Sequence, residues 1–388
     1  MPEPSDAGAP AAGAPVSPDE ATAPPTLGVE EEFVLADRDS GAAVHRGPAV
    51  VHAALARLGA PHVTAEVSQA QLETVSGVCR TAAELAAEIA RLRGGAAAAA
   101  SEHGCLLVPS GTPVLGRPGP PPFTDKPRYR AFAGHFGPLV RDQGVNSCHV
   151  HVGVADREVA VRAVNHLRGW MPLLLALTGN SPYDDGTDTG YASWRSMVWS
   201  RWPSAGPPPY LRDAAHHERV VGRLVATGAA MDPGMIYWHV RPSPRLPTIE
   251  VRVADVLPEA EAATAYALLV RALVWGAVDA VRAGEPAPEV PDPLLRAACW
   301  QAARYGTSGT LPATHTPECA PAAVGRLVEE LWKRVEPRLS GCGDDRRVGD
   351  WLDDVQQRGT GADRQRRTAG RHGDRLGAVV DDLAVRPG

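Results

Sequence analysis

Four short stretches of this 388-residue chain place ionisable side chains where an apolar strand would carry valine or isoleucine. In Gly28-Val29-Glu30-Glu31-Glu32-Phe33, three carboxylates interrupt an apolar run from Leu27 to Leu35. Alternate residues of a strand share a face, so Glu30 and Glu32 project together while Glu31 points the other way. Two carboxylates about 6–7 Å apart on a buried face repel, so a cation must lie between them or one must hold a proton. A second stretch runs from Glu66 to Glu73. Gln69, Gln71 and Glu73 share one parity, and Glu66 joins them only across a bulge or bend. In the third, His149-Val150-His151 puts two imidazoles on one face, a platform for metal or phosphate or, equally, a histidine pair capping a core. In the fourth, Thr248, Glu250 and Arg252 alternate with Ile249, Val251 and Val253. Four to five carboxylates with one or two imidazoles and no thiolate suit hard cations such as Mg²⁺ or Mn²⁺ rather than zinc. More than one ion is needed to neutralise that many anions. Two or three such ions facing Arg195, Arg201 and Arg252 have the composition of a phosphoryl-transfer site, where catalysis is mostly charge stabilisation and positioning.

Positioning these groups together takes one curved, largely antiparallel sheet with a polar concave face and helices packed on the other side, an α+β architecture. Helices are expected over Pro48–Leu58, from Thr81 to about His103, over Arg128–Val140, over Asp156–Leu177 and over Asp213–Gly228. Thr81 with Glu84 three residues on matches a capping box. Further helices are expected at Glu259–Ala283, Pro293–Arg304, Pro317–Leu339 and Val348–Arg358, followed by a Gly359–Gly361 turn and a basic helix with Arg364, Arg366 and Arg367. The Pro-rich connection Pro109–Pro127 has the length of a functional lid. Trp194, Trp199 and Trp202 interleave with Arg195 and Arg201, which reads either as an aromatic core helix or as a pocket wall that stacks a ring and forks an anion.

Hydrophobic content of 44% and charged content of 22% are those of a globular chain. Residues 1–25 are Pro, Ala, Ser, Gly and acidic, and are expected to be a disordered tail, leaving 26–388 as one catalytic domain. A net charge of -6 gives no reason to expect nucleic acid. Lys126 and Lys333 are the only lysines, and no Gly-Lys-Ser/Thr exists, which excludes a P-loop. Six scattered cysteines without a Cys-x-x-Cys pair, no signal-like N-terminus, and a longest apolar run of Trp170–Leu177 point to a reduced cytoplasmic chain without a membrane partner. Size alone leaves oligomeric state open, a homodimer being one option.

Taken together, and in this order, the segment around Glu30–Glu32, Glu66 with Glu73, His149-Val150-His151-Val152-Gly153, Thr189-Gly190-Tyr191-Ala192-Ser193 running into Arg195 and Trp199-Ser200-Arg201-Trp202-Pro203, and Arg241-Pro242-Ser243-Pro244 with Glu250-Val251-Arg252 resemble the bacterial carboxylate-amine ligases, the glutamate-cysteine ligase type 2 family. The resemblance spans roughly residues 26 to 370 and implies a glutamine-synthetase-like catalytic fold. It further implies ATP-dependent ligation, in which L-glutamate accepts the γ-phosphoryl group on its side-chain carboxylate and an amine such as L-cysteine displaces phosphate from the acyl phosphate. Carried over, Glu30, Glu32, Glu66, Glu73, His151 and Glu250 would hold Mg²⁺ or Mn²⁺. Arg252 would stabilise the phosphoryl group, and Arg195 and Arg201 would hold phosphate or the amino-acid carboxylate. The chain departs from the pattern at Asp184-Asp185 and Trp194, in a loop that bears on amine specificity. Two alternatives are a metal-dependent amidohydrolase, disfavoured by acidic strands preceding the histidines, and a non-catalytic nucleotide-binding protein of the same fold.

Overall fold

The computed structural model describes residues 23–116, 124, 126–140 and 144–387. The expected tail lies outside these residues save for its last three, and so do residues 117–123 and 125 of the Pro-rich connection. The main sheet has seven strands: β1 (Leu27–Asp37), β2 (Val63–Thr64), β3 (Gln71–Val75), β4 (Cys105–Val108), β5 (Ser147–Gly153), β8 (Val240–Pro242) and β9 (Thr248–Asp255). Their order is β2-β3-β1-β5-β9-β8, with β4 pairing the second half of β1, and every pairing is antiparallel. Two small hairpins, β6–β7 (Tyr183–Asp184, Thr187–Asp188) and β10–β11 (Thr310–Pro312, Pro321–Ala323), stand apart.

Thirteen α-helices occur among the described residues: α1 (Gly47–Leu58), α2 (Ala82–Glu102), α3 (Pro127–Phe136), α4 (Arg157–Arg168), α5 (Met171–Leu177), α6 (Trp194–Trp199), α7 (Ala214–Ala226), α8 (Ala260–Arg282), α9 (Asp292–Tyr305), α10 (Val324–Cys342), α11 (Asp345–Arg358), α12 (Gly361–Arg371) and α13 (Leu376–Leu383). The capping box at Thr81 and Glu84 forms as expected, with both reciprocal bonds made. The single helix expected over Asp156–Leu177 is two. Asp156 caps α4, the chain breaks at Gly169, and Pro172 opens α5, where its missing N–H costs nothing. Gly169 is required there, because a Cβ would stand 2.2 Å from the Thr314 carbonyl oxygen. The helix expected from Pro317 starts only at Val324, since Pro321–Ala323 pairs with Thr310–Pro312 first. Strand β4, unforeseen, is an apolar run too short to tell from the end of α2.

Alternation decides which face of the sheet is wet. Val29, Cys148, Val150, Val152, Ile249, Val251 and Val253 are buried in one apolar cluster with residues of α4, α5, α8, α10 and α11. Helix α8 is long and apolar enough to cross a bilayer, but its apolar stretch is mostly buried inside the fold, as a core helix is. Glu31, pointing into this helix-covered layer as its parity requires, is met by Arg93 of α2. Arg93 donates from Nε and Nη2 to both carboxylate oxygens at 3.0 and 2.6 Å, and caps the Leu257 and Pro258 carbonyls with its remaining N–H groups. Both residues are almost fully buried, so loss of either partner would strand a charge at a cost of about 3–5 kcal/mol. All six cysteines are free.

Candidate active site

The opposite face floors a cavity of about 520 Å³. Register brings its ionisable groups side by side. Glu30 pairs with His149 and Glu32 with Glu73, while His151 faces Glu250 across β5–β9 and Glu250 faces Arg241 across β8–β9. Glu66 sits in the bend between β2 and β3 and reaches the same space from the sheet's edge. Oxygen or nitrogen atoms of Glu32, Glu66 and Glu73 converge within 4.8 Å of one another, and so do those of Glu30, His149 and Glu250. These are two adjoining three-ligand groups, built from hard donors.

Electrostatics shows that the first group is unstable as three bare anions. Burial, then the charge of Glu66, pushes Glu32 up to about 7. Burial also raises Glu66, and it raises Glu73 well above the carboxylate range, where the charges of Glu66, Glu30 and Glu32 and a shared hydrogen bond with Glu66 add to it. The second group is frustrated in another way. The Ser147 hydroxyl donates to Glu32 Oε2 at 2.7 Å, so it can only accept from His149 Nε2 at 2.8 Å. In this neutral tautomer the His149 Nδ1 lone pair accepts from Arg252 Nη1 at 3.5 Å and also faces Glu30 Oε2, 3.1 Å away. Burial and the Arg252 charge hold His149 down at about 4, so protonation does not relieve that contact near neutrality. His151 Nδ1 bonds Thr248 Oγ1 at 2.9 Å, while its buried Nε2 lacks a hydrogen-bond partner among the described residues and lies 3.4 Å from Glu30 Oε1. Facing lone pairs and an orphaned imidazole nitrogen are what a bound cation would satisfy, and the donor set fits Mg²⁺ or Mn²⁺.

The sheet is polarised across its width. Carboxylates crowd β3 and β1, whereas Arg252 and Arg241 lie on β9 and β8, and Arg245 stands beyond Arg241 at the cavity rim. Arg241 forks Glu250 at 2.8 and 3.2 Å and donates its third nitrogen to the Gly234 and Ile236 carbonyls. Arg252 also meets Glu250. Burial opposes the charge on Glu250, but the two guanidiniums outweigh it and hold the carboxyl far below its usual range. Phe132, Trp199, Trp202 and Tyr237 form the apolar wall, with Phe132 stacked on Trp202 at 5.0 Å and Trp199 against Tyr237 at 4.7 Å.

Of the residues singled out in the sequence, Glu30, Glu32, Glu66, Glu73, His151, Glu250 and Arg252 all line this cavity. His149, rather than His151, completes the three-ligand group with Glu30 and Glu250. Arg195 and Arg201 do not line it. Arg195 is buried against the backbone of β9, donating to the Arg252 and Val253 carbonyls, with Asp255 Oδ1 3.8 Å away. Arg201 is exposed past the end of α6. The six-residue helix turns Arg195 inward and ends before Arg201. Sequence reasoning gave no role to Arg128, Arg241, Arg245 or Tyr237. Arg241, alternating with Val240 and Pro242, had a legible signal, namely a cation inside a short strand just before the Glu250 strand.

Residues 26–382 match the family model described as glutamate-cysteine ligase family 2. A protein of Saccharopolyspora erythraea provisionally named glutamate–cysteine ligase 2-1 is 46% identical over 363 residues, 93% of this chain and 94% of its own. One of the same provisional name from Rhodococcus jostii is 45% identical over 92% and 95%. Among solved structures, the glutamate–cysteine ligase of Francisella tularensis in complex with AMP superposes with a TM-score of 0.68 at 14% identity, covering 93% of this chain and 88% of that one. A bifunctional glutathione synthetase from Pasteurella multocida gives 0.66 at 13% identity over 93% and 52%. At such identities these two structures speak for the fold alone.

Proposed function

The chain belongs to glutamate-cysteine ligase family 2 and is a carboxylate–amine ligase, and we propose that it joins the side-chain carboxylate of L-glutamate to an amine, L-cysteine being the first candidate, at the expense of ATP. The observation that carries this reading is the pair of three-ligand groups beside Arg252 on one cavity floor. Glu32, Glu66 and Glu73 would hold one Mg²⁺, and Glu30, His149 and Glu250 another, with His151 adjacent. Bound there, the ions would neutralise polyphosphate charge and polarise the transferred group.

The remaining chemistry falls to the chain's own groups. A glutamate carboxylate oxygen attacks the γ-phosphorus of ATP and ADP leaves. The amine then attacks the acyl carbon and phosphate departs with the carboxylate oxygen. Arg252, kept cationic by Glu250, faces the cavity and would balance charge on the transferred phosphoryl group. Arg241, already committed to Glu250 and two carbonyls, keeps that strand edge rigid. Arg195 positions Arg252 through its backbone carbonyl. The aromatic wall is suited to stacking a purine. The AMP held by the Francisella tularensis structural neighbour is in keeping with a nucleotide here.

The test is ADP formation by purified protein with Mg²⁺, ATP and L-glutamate across a panel of amines, beside Glu73→Gln as control. Amine-dependent ADP release that the variant lacks supports the reading. Amide hydrolysis without ATP would indicate an amidohydrolase instead, and tight ATP binding without turnover a nucleotide-binding protein.

A further inference from the structure

Behind the Arg241–Pro244 wall lies a second cavity of about 290 Å³, sharing only Arg241 and Pro244 with the large one. Val221, Pro233, Ile236, Pro242 and Pro244 make it apolar, and Arg157, His217 and Glu218 bring charge and an imidazole to it. Arg157, at the first turn of α4, spends one N–H on the Ser243 carbonyl at 2.8 Å and has no other hydrogen-bond partner among the described residues. Glu218, on α7, has neither an ion-pair nor a hydrogen-bond partner among them. The two opposite charges thus stand at one small cavity without closing on each other. His217 is 6% exposed, and its buried Nδ1 is also without a partner among the described residues. Burial, then the charge of Arg157, holds this imidazole down at about 4, so it is neutral near pH 7.

Helix α7 also carries a glycine at its interior. Gly222 lines the cavity, and a Cβ built there meets nothing within 4 Å. Packing does not require a glycine, which costs a helix interior about 0.5–1 kcal/mol against alanine. What it does is leave the wall of the cavity open.

We infer that this cavity is an accessory site for a free aliphatic α-amino acid, its carboxylate on Arg157, its ammonium on Glu218 and His217 Nδ1, and its side chain against Val221 and Ile236. The combination of one cation, one anion, an unused neutral imidazole and apolar walls in a few hundred Å³ matches that ligand class and no singly charged one. Occupancy is relayed to the larger cavity through the Arg157–Ser243 bond, because the Ser243 hydroxyl caps the Arg245 and Leu246 amides that line the rim.

The experiment is calorimetric titration of the full chain with L-leucine, L-valine and L-methionine, beside L-leucinamide and 4-methylpentanoate, which each lack one of the two charges. Saturable binding is expected for at least one of the three amino acids, weakened tenfold or more in either analogue. Exposed Glu218→Gln should weaken it tenfold or more, and Gly222→Phe, which fills the cavity, should abolish it, both variants keeping the wild-type circular dichroism spectrum. No binding of any of the three amino acids would overturn the assignment. So would binding undiminished in folded Gly222→Phe, which would place the ligand in the larger cavity. Because the readout is binding, it stands apart from whether the ligase reading survives.

Discussion

Replacing Glu250 by glutamine removes one negative charge and leaves two guanidiniums around the vacated position. In the native site Glu250 is 2% exposed and accepts from Arg241 Nε and Nη2 and from Arg252 Nη1, so both oxygens are committed. Glutamine keeps one acceptor and turns an amide N–H₂ toward N–H donors. Arg241 retains its two backbone acceptors, whereas Arg252 loses its carboxylate and faces Arg241 unshielded. Breaking a buried pair by removing one partner costs about 3–5 kcal/mol, against a total stability of about 5–15 kcal/mol. At about 2 °C per kcal/mol for a chain of this length, Tm should fall by about 6–10 °C. Glu30→Gln is the comparison: its side chain is 25% exposed and touches only imidazoles, so the loss should stay within about 1 kcal/mol. Differential scanning calorimetry and urea unfolding of both variants without Mg²⁺ decide this. A Glu250→Gln Tm within 2 °C of wild type, or equal losses in the two variants, would refute the view that Glu250 is the counter-ion of a buried arginine pair as well as a metal ligand.

Glu73→Gln should raise metal-free stability by on the order of 1 kcal/mol, by relieving a carboxylate held well above its usual range, while abolishing the thermal shift produced by Mg²⁺; a metal-free Tm below wild type would contradict this. The same carboxylates set a pH dependence. Glu32, Glu66 and Glu73 are raised, so the folded metal-free protein holds more protons than the unfolded chain above about pH 4.5; the contribution of Glu32 to stability is lost as pH rises through about 7, and Glu66 and Glu73 act in the same direction. Mg²⁺ must displace those protons, so its thermal shift should grow from pH 5 to pH 8, and a shift that is flat or falls across that window would be wrong for this site. Glu250, held down by its two guanidiniums against the cost of burial, acts oppositely, losing its contribution as pH falls below about 4.5. His149→Ala should weaken Mg²⁺ more than His151→Ala, measured by titration of either variant, because His149 completes the three-ligand group. The reverse order would return the ligand role to His151.

Strand parity alone separated Glu30 and Glu32 from Glu31 and called for a cation or a held proton between the first two. It could not name Arg93 as the partner of Glu31, because that contact joins β1 to the middle of α2, 62 residues away. Glu66 was legible only as a residue of the wrong parity that needed a bend, and the break between β2 and β3 supplies it. His149 and His151 share a face in any strand, but which one completes a ligand group depends on the Ser147–Glu32 bond, which spans two strands. Arg195 and Arg201 lie off the cavity for separate reasons: Arg195 sits in the short helix Trp194–Trp199, oriented by the Asp255 network in which the Ser181 and Ser193 hydroxyls and the Asn180 backbone N–H donate to that buried carboxylate, and Arg201 follows the helix end. Periodicity reports which residues share a side of an element, and it is silent on what the element is packed against.

The claim that two metal-binding groups and Arg252 serve acyl-phosphate chemistry is tested most directly by isotope transfer. L-Glutamate labelled with oxygen-18 in its side-chain carboxylate is turned over with ATP, Mg²⁺ and the amine that supports ADP release, and the phosphate is analysed by mass spectrometry. Passage through the acyl phosphate moves one labelled oxygen into each phosphate released. Unlabelled phosphate accompanying amide formation would contradict the mechanism.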